Sequence, residues 1–248
     1  MTDHIQTSIK DGVQHIQINR PERKNALTSN MYAAMAKALE TSNQQDEIKV
    51  NLIYGVPGCF TAGNDIEDFL KFAQTGNLDE SVLQFLSALA ELEKPLILAI
   101  DGPAVGIGTT MIFHSDLAYA TDAALFQTPF LDLGLIPEAA SSYLMPRTIG
   151  HHKAFEMLAL GTPYTAKQAT EAGFINAIFE PDQLIEASHK NAARLAKKPP
   201  SALKIARNLL RKRDKETIHQ VMQTENQHFK NQLKSEEAKA AFFAFLNK

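Results

Sequence analysis

The stretch LILAIDGPAVGIGTTM, residues 96–111, joins a wholly apolar run to a segment with three glycines in seven residues. The run Leu96–Ile100 predicts a buried strand, and the residues after the glycines predict a buried helix over Thr109–Ser115. At such a helix start, backbone N–H groups lack partners and lie at the positive end of the helix. Because small residues let a ligand oxygen approach these donors, the loop is suited to an anionic oxygen, although close helix–strand packing is the alternative.

The two common phosphate-binding motifs are excluded in this stretch. A dinucleotide fingerprint needs a third glycine where Met111 stands, after Gly106 and Gly108. A P-loop needs a second glycine and a lysine after Gly102, and Ile107 occupies that glycine's position. The donors therefore suit an oxygen other than that of a nucleotide phosphate.

A second loop resembles the first in kind. The stretch GVPGCFTAGNDI, residues 55–66, runs from the predicted strand Val50–Tyr54 through glycines to a helix over Ile66–Phe72 that Asp65 can cap. Two such loops can direct two N–H groups at one oxygen and form an oxyanion hole, which suits a carbonyl that becomes an enolate. The alternative is two ordinary strand-to-helix turns.

One carboxylate stands out beside apolar residues. Glu138 follows Ile136 and Pro137 and precedes a run of small residues. Burial there would raise its pKa and allow it to exchange protons with a substrate. Pro-Glu is also a good helix start, and the sequence leaves both interpretations open. Asp132 is a weaker candidate for the same role.

The composition indicates an ordinary globular protein. The chain has 248 residues, 44% hydrophobic and 21% charged, with a formal net charge of −3. The single cysteine, Cys59, excludes an internal disulfide, and no apolar run approaches the roughly 18 residues of a membrane span. We therefore expect a cytoplasmic protein with no membrane segment. The histidines and the cysteine lack metal-site spacing, so no metal is expected, and Cys59 is a weak candidate nucleophile.

The chain divides into a mixed α/β part and a helical part. Hydrophobic spacing predicts helices over Ser29–Thr41 and Leu78–Glu93. After Pro181 it predicts only helices, over 182–197, 200–213, 215–233 and 235–246. We predict a core domain over 1–198 and a helical region over 199–248. Nine of the 25 Lys and Arg residues lie in 194–215, which could bind RNA, but most basic helix faces are simply solvated.

Taken together, these stretches resemble the crotonase (enoyl-CoA hydratase/isomerase) superfamily. The matching segments are NRPERKNALT, GCFTAGNDI, KPLILAIDGPAVGIG, FQTPFLDLGLIPEAASSYLMPRTIG, ALGTPYTAKQATEAGFIN and EEAKAAFFAF. The resemblance implies an α/β fold, a spiral of β-β-α turns with a C-terminal helical trimerisation region. It also implies acyl-CoA thioester substrates, no separate cofactor, and a homotrimer or hexamer.

The resemblance also implies the site residues. It assigns the two oxyanion-hole amides to Ala62 and Ile107, and the catalytic carboxylate to Glu138. It places Lys24, Ala26, Thr61, Gly63, Asn64, Asp65 and Ile66 along the coenzyme A, together with Gly106, although Lys24 can equally be an exposed turn lysine. Phe69, Phe130 and Leu135 are candidates for the acyl pocket, with core packing as the leading alternative for each.

Two departures from the family pattern bear on the reaction. Hydratases of this superfamily carry two glutamates, and their positions fall on Thr110 and Phe130. The segment PFLDLGLIPEAASSY is instead similar to that of peroxisomal-type Δ3-Δ2-enoyl-CoA isomerases, whose catalytic glutamate falls on Glu138. Moving a double bond needs one base, whereas adding water needs a base and a proton donor. The expected activity is therefore isomerisation of a 3-enoyl-CoA in fatty acid oxidation. Another crotonase reaction, such as hydration or hydrolysis, is the alternative, and a non-catalytic or RNA-binding member is a third.

Overall fold

The computed structural model of the chain describes residues 4–68, 80–211 and 215–246. Phe69 and most of the helix predicted over Ile66–Phe72 lie outside the described residues. Within them, none of the helices has the length and apolarity needed to cross a bilayer.

The strands of the described residues form two sheets. In chain order they are β1 (Ile5–Lys10), β2 (Val13–Ile18), β3 (Val50–Tyr54), β4 (Leu96–Ile100), β5 (Pro103–Val105), β6 (Leu117–Ala120), β7 (Leu125–Gln127), β8 (Tyr164–Thr165) and β9 (Ala177–Ile178). The larger sheet has the order β1-β2-β3-β4-β6-β9, and the smaller one has the order β5-β7-β8. β1 pairs antiparallel with β2, whereas the other pairs of the larger sheet are parallel.

The main α-helices of the described residues cover the sheets and continue to the C-terminal end. They are α1 (Ser29–Gln44), α2 (Glu80–Glu91), α3 (Ile107–Thr110), α4 (Ser141–Ile149), α5 (His151–Leu158), α6 (Ala166–Ala172), α7 (Leu184–Ala196), α8 (Pro200–Leu210), α9 (Lys215–Leu233) and α10 (Glu236–Leu246). α6 begins with the capping box of Thr165 and Gln168 and ends at Gly173 in the left-handed conformation.

Parallel strands buried on both faces explain the apolar runs. All five residues of β4 are buried, as are the first four of β3. A strand of the larger sheet is followed by one of the smaller sheet and then by helix, as in β4, β5 and α3. This succession is the β-β-α spiral, and the predicted α/β class is confirmed.

Several boundaries differ from the sequence predictions. The helix predicted over Thr109–Ser115 begins at Ile107 and continues as a 3₁₀ segment, Met111–His114. The last predicted strand, INAIF, is reduced to Ala177–Ile178. β1 was not predicted, because its side chains after Ile5 are exposed and give no apolar alternation.

The C-terminal helices pack into the main core rather than standing apart from it. Phe229 and Leu233 of α9 and Phe242 of α10 belong to the same cluster of buried residues as the strands. The apolar tail is thus partly covered by its own chain, although Phe243 remains 72% exposed. The division of the chain at 198/199 stays a prediction.

Candidate active site

A short parallel bridge holds the two glycine-containing loops side by side. The N–H of Thr61 donates to the Pro103 carbonyl at 3.0 Å, and the N–H of Val105 donates to the Thr61 carbonyl at 3.0 Å. Thr61 is thereby paired with Ala104. Because the bridge is parallel, both chains leave it in the same direction, toward the segments that carry the candidate donors.

The first candidate donor is the N–H of Ile107, the first residue of α3. The N–H of Gly106 donates to the Gln127 carbonyl at 2.8 Å, and the N–H groups of Thr109 and Thr110 donate to the Gly106 carbonyl. Among the described residues, none accepts a hydrogen bond from the N–H of Ile107. This is the unpaired helix-start donor that the glycine loop predicted.

The second donor is not the one that the sequence indicated. The N–H of Ala62 donates to the Lys24 carbonyl at 2.9 Å, so it is unavailable to a substrate, and its assignment to the oxyanion hole is wrong. The N–H of Gly63 donates to Thr61 Oγ1, and that of Asp65 donates to the Leu27 carbonyl.

In this loop the free donor is Asn64. Within residues 4–68, 80–211 and 215–246, no group accepts a hydrogen bond from the N–H of Asn64. Asn64 stands three residues beyond Thr61, just as Ile107 stands three residues beyond the bridged Ala104. Both unpaired N–H groups therefore stand three residues beyond the bridge, on segments that leave it in the same direction.

Glu138 lies in the turn before α4 and is held by one hydroxyl. Thr110 Oγ1 donates to Glu138 Oε1 at 2.6 Å. Burial raises the pKa of Glu138 to about 8, the charge of Glu225 adds to this, and the Thr110 hydrogen bond opposes it. A carboxyl group whose pKa lies near neutrality suits a general base that takes up and returns a proton.

Glu138 and Asn64 share one small cavity. Its walls are the apolar side chains of α2 and α9 together with polar groups: Asn64, Val82, Leu83, Leu86, Glu138, Ala139, Met222, Glu225, Asn226 and Phe229. The cavity thus brings the Glu138 carboxyl group, Asn64 and apolar side chains around one small volume.

Tyr32 supports the Asn64 loop from α1. Its hydroxyl donates to Asn64 Oδ1, and its side chain is 1% exposed. Burial raises the pKa of Tyr32 well above its usual value, with a further contribution from Glu138. The phenol is therefore neutral at ordinary pH and acts as a donor that fixes the Asn64 side chain.

Of the other predicted substrate-binding residues, several serve the loops themselves. Thr61 Oγ1 donates to the Asn25 carbonyl at 2.6 Å, and Asp65 pairs with Arg20 at 2.6 Å. Asp65 Oδ1 also accepts the N–H of Glu67, the predicted helix cap. These contacts hold the loop that carries Asn64.

The remaining predicted positions are scattered around this centre. Lys24 is exposed, Ala26 and Ile66 are half-buried, and Phe130 and Leu135 are buried in the main core. Packing explains the last two, and the roles of all five toward a substrate stay predictions.

Asp132, Cys59 and His114 lie in different surroundings. Asp132 is exposed in a short 3₁₀ segment. Burial raises the pKa of the Cys59 thiol, which disfavours the nucleophilic thiolate. His114 is 3% exposed and its ring hydrogen-bonds the Ala139 carbonyl, so it is a core histidine. Over the described residues, no group of three or more His, Cys, Asp or Glu side chains is arranged to hold a metal ion.

Several basic side chains of residues 194–215 form ion pairs within the chain. Arg207 is 6% exposed and its Nε lies 2.9 Å from Asp116 Oδ2, and Arg211 pairs with the same carboxylate. Lys204 pairs with Glu93 at 2.6 Å. Residues 212–214 of this segment lie outside the described residues.

Sequence reasoning missed Tyr32 and Glu225 as parts of the site. A signal for Glu225 exists, because it stands four residues after Val221 and four before Phe229, on the apolar stripe of α9. A carboxylate at a core-facing helix position indicates a buried partner.

Replacing Glu138 with glutamine should stabilise the fold at pH 8. The pKa of Glu138 is about 8 in the folded protein and 4.5 in the unfolded chain. Between these two pH values only the folded protein keeps Glu138 protonated, so its stability falls as the pH rises through this interval. Urea unfolding at pH 5 and pH 8 measures this. We expect wild type to lose more stability than Glu138→Gln between the two pH values. An equal loss would contradict the raised pKa.

Comparison with known proteins places the chain in a family. The sequence profile of the family described as enoyl-CoA hydratase/isomerase matches residues 8–248. Enoyl-CoA delta isomerase 2 of Homo sapiens is 33% identical over 245 residues, covering 96% of this chain and 62% of the human protein. The chain thus spans less than two thirds of that relative. 2,3-dehydroadipyl-CoA hydratase of Escherichia coli (strain K12) is 29% identical, covering 94% of this chain and 91% of the relative.

Solved structures of other proteins have the same fold over nearly the whole length of this chain. The structure of Pseudomonas aeruginosa OdaA has a TM-score of 0.95 at 38% identity and covers 100% of both chains. The enoyl-CoA hydratase/isomerase from Pseudoalteromonas atlantica T6c has a TM-score of 0.92 at 38% identity, covering 98% of this chain and 97% of that one. Since the profile match runs over nearly the whole sequence and the fold is the crotonase fold, the chain belongs to the enoyl-CoA hydratase/isomerase family.

Proposed function

We propose that this protein is an isomerase that moves the double bond of a 3-enoyl-CoA to the 2-position. The observation that carries the proposal is one carboxyl group, Glu138, with a pKa raised to about 8, in the same cavity as Asn64. The hydratase glutamate positions hold Thr110 and Phe130, neither of which exchanges protons. One base is sufficient for isomerisation.

The chemistry follows from this geometry. The Glu138 carboxylate takes a proton from C2, and the electrons of that C–H bond move onto the thioester oxygen through an enolate. The N–H groups of Asn64 and Ile107 stabilise the developing negative charge. The protonated Glu138 then returns the proton to C4, and the double bond comes to lie between C2 and C3. Neither a metal nor a redox cofactor takes part.

The energies are of the required size. Each main-chain donor contributes about 3–4 kcal/mol to transition-state stabilisation. One positioned base contributes a factor of about 10²–10⁴, or roughly 3–5.5 kcal/mol. Two donors and one base together supply on the order of 9–13 kcal/mol, within the lower part of the range of enzymes, although such contributions are not strictly additive.

Hydration of a 2-enoyl-CoA is the second candidate. A hydratase needs two proton-exchanging groups, and Glu225 places a second carboxylate on the cavity of Glu138. Both of its oxygens already accept hydrogen bonds, however, from Ala140 on one side and from Ser142 on the other. Glu225 is therefore poorly placed to activate a water molecule, which favours isomerisation.

The two reactions separate in one assay. Purified protein is given a series of 3-enoyl-CoA thioesters of increasing chain length, and 2-enoyl-CoA formation is followed. In parallel, loss of crotonyl-CoA absorbance reports water uptake. We expect the first reaction to be the faster one. Predominant water uptake would establish the hydratase alternative, and the absence of both, with salt-sensitive RNA binding, would support a non-catalytic role.

Replacing Thr110 with valine should move the pH dependence of the reaction to higher pH. The Thr110 hydroxyl lowers the pKa of Glu138, so its loss raises that pKa further. A hydrogen bond to a charged group is worth about 1.5–3 kcal/mol and 1.36 kcal/mol corresponds to one pH unit, so a shift on the order of one unit is expected. The acidic limb of the kcat profile measures it.

The control is Thr110→Ser, which keeps the hydroxyl. It should retain the wild-type acidic limb within about 0.3 pH units, given the same hydrogen bond. If Thr110→Val has an unshifted limb, the hydrogen bond does not govern the ionisation of Glu138.

Assembly and the rest of the substrate site belong to the same proposal. A homotrimer, alone or paired into a hexamer, follows from the family resemblance and accounts for apolar side chains left exposed on α8, including Leu209 at 65% exposure. Lys24 is exposed, and we propose that it pairs with a phosphate of coenzyme A. Light scattering of the purified protein determines the assembly state.

A further inference from the structure

The turn that carries Glu138 is conformationally unfavourable. Ala139 and Ala140, the two residues after it, have φ values of 58° and 54°. For a residue with a Cβ, the left-handed conformation costs roughly 1–2 kcal/mol. Two such residues in succession persist only where the surroundings hold them, and this cost is typical of functional sites.

One carboxylate from the C-terminal region holds this turn. Glu225 Oε2 accepts the N–H of Ala140 at 2.7 Å, and Oε1 accepts the N–H of Ser142 at 3.1 Å together with the Ser142 hydroxyl. Glu225 lies on α9, 85 residues after Ala140 in sequence, and is 6% exposed. The carboxylate therefore bridges both sides of the left-handed turn.

Glu225 also takes the place of a missing helix cap. Ala140 is the N-cap residue of α4 and has no side chain that can accept from the first turn. The Glu225 carboxyl group instead accepts the N–H of the N-cap residue Ala140 and, in the first turn, the N–H of Ser142. The orientation of the Glu138 turn thus depends on a residue of another helix.

We propose that Glu225 is a positioning residue for Glu138. It fixes the left-handed turn of Ala139 and Ala140 so that the Glu138 carboxyl group lies on the cavity and meets the Thr110 hydroxyl. The inference deepens the proposed function, since it takes Glu138 as the catalytic base. It makes the helical C-terminal region part of the catalytic apparatus as well as of the core.

Glu225 also acts on Glu138 electrostatically. Among the described residues, Tyr32 from α1 and Glu225 from α9 bear on Glu138, and the His114 ring hydrogen-bonds the Ala139 carbonyl beside it. Tyr32 is neutral at ordinary pH. The apolar side chains of α2 complete the wall. On its outer side Glu225 borders a second cavity that His228 also lines. Removal of the Glu225 charge should therefore lower the pKa of Glu138, because a repulsive neighbour is lost.

The test compares Glu225→Gln with two other variants. Glutamine keeps the length of the side chain but removes the charge, and its NH₂ group cannot accept from a backbone N–H. Ser142→Ala is a milder variant at an exposed position that removes one donor to Glu225. Ile218→Val, a buried position on α9 outside the Glu138 cavity, controls for a general loss of stability.

Three quantities are measured for each variant: the kcat and KM of isomerisation, the melting temperature, and the ¹³C titration of the Glu138 carboxyl carbon without substrate. The Glu138 resonance is assigned by its absence in Glu138→Gln. For Glu225→Gln we expect kcat to fall at least tenfold, KM to stay within about threefold, and the Glu138 titration to move to lower pH. Ser142→Ala should lower kcat by a smaller factor, and Ile218→Val should change only the melting temperature.

The proposal would be overturned if Glu225→Gln kept the wild-type kcat. It would also be overturned if Glu225→Gln and Ile218→Val, at matched stability, lost kcat equally and the titration of Glu138 did not move. Should Glu225→Gln fail to fold, unchanged kcat in Ser142→Ala would overturn it. The titration is independent of the reaction. If wild-type protein shows no isomerisation but Glu225→Gln shifts the Glu138 titration, the assigned reaction fails and the coupling of Glu225 to Glu138 stands.

Discussion

Replacing Glu138 with glutamine should lower kcat for double-bond isomerisation by about 10²–10⁴-fold, the usual contribution of a positioned general base. Glutamine fills nearly the same volume and can still accept the Thr110 hydroxyl, but it cannot take a proton from C2 at the thioester. The main-chain donors at Asn64 and Ile107 remain, so KM should change by no more than about threefold. Steady-state kinetics with a 3-enoyl-CoA substrate measure both constants.

Asp132→Asn is the matched control for this substitution. Asp132 is the other carboxylate that the sequence offered nearby, but it is exposed and lies outside the cavity walls described for Glu138. It should retain wild-type kcat within about twofold, as surface changes usually do. Full activity of Glu138→Gln, or a comparable loss in Asp132→Asn, would remove Glu138 from the proposed mechanism.

Replacing Gly102 with alanine should destabilise the fold by roughly 2–5 kcal/mol, the sum of left-handed strain and overpacking. Gly102 has a φ of +73°, and a Cβ there would lie 2.1 Å from the Gly58 carbonyl oxygen. That oxygen belongs to the backbone of the other glycine-containing loop and cannot move without separating the loops. Urea unfolding measures the loss, and the melting temperature should fall by roughly 2–4 °C per kcal/mol.

Gly58→Ala distinguishes the steric clash from backbone strain. Gly58 has a φ of +77°, but a Cβ there would have no atom of the described residues within 4 Å. This variant should therefore lose only the strain of roughly 1–2 kcal/mol. Equal losses in the two variants would show that the close approach of the two loops is not what requires a glycine at position 102.

Local patterns were sufficient for the elements around the site. The apolar runs of β3 and β4 predicted buried strands because parallel strands covered on both faces need apolar residues throughout. The donor at Ile107 was also predictable, since the first N–H groups of a helix have no partner within the helix. These features depend on neighbours in sequence.

Contacts between distant segments decided what the sequence left open. Ala62 and Asn64 are two residues apart in the same loop. The Lys24 carbonyl accepts the N–H of Ala62, whereas the N–H of Asn64 has no acceptor among the described residues. Likewise, nothing in the segment around Glu138 indicates that a carboxylate of α9 holds it.

The sequence by itself determined the class of fold and the two loops and indicated Glu138 as a candidate base, because each depends on local hydrophobicity, backbone conformation or a family resemblance carried by short segments. Only the tertiary structure decided that Asn64 and not Ala62 has the unpaired amide of its loop, why the pKa of Glu138 is raised to about 8, and that Glu225 supports its turn. The physical reason is that hydrogen-bond pairing and desolvation depend on which atoms meet in space, and the partners here come from segments up to 85 residues apart.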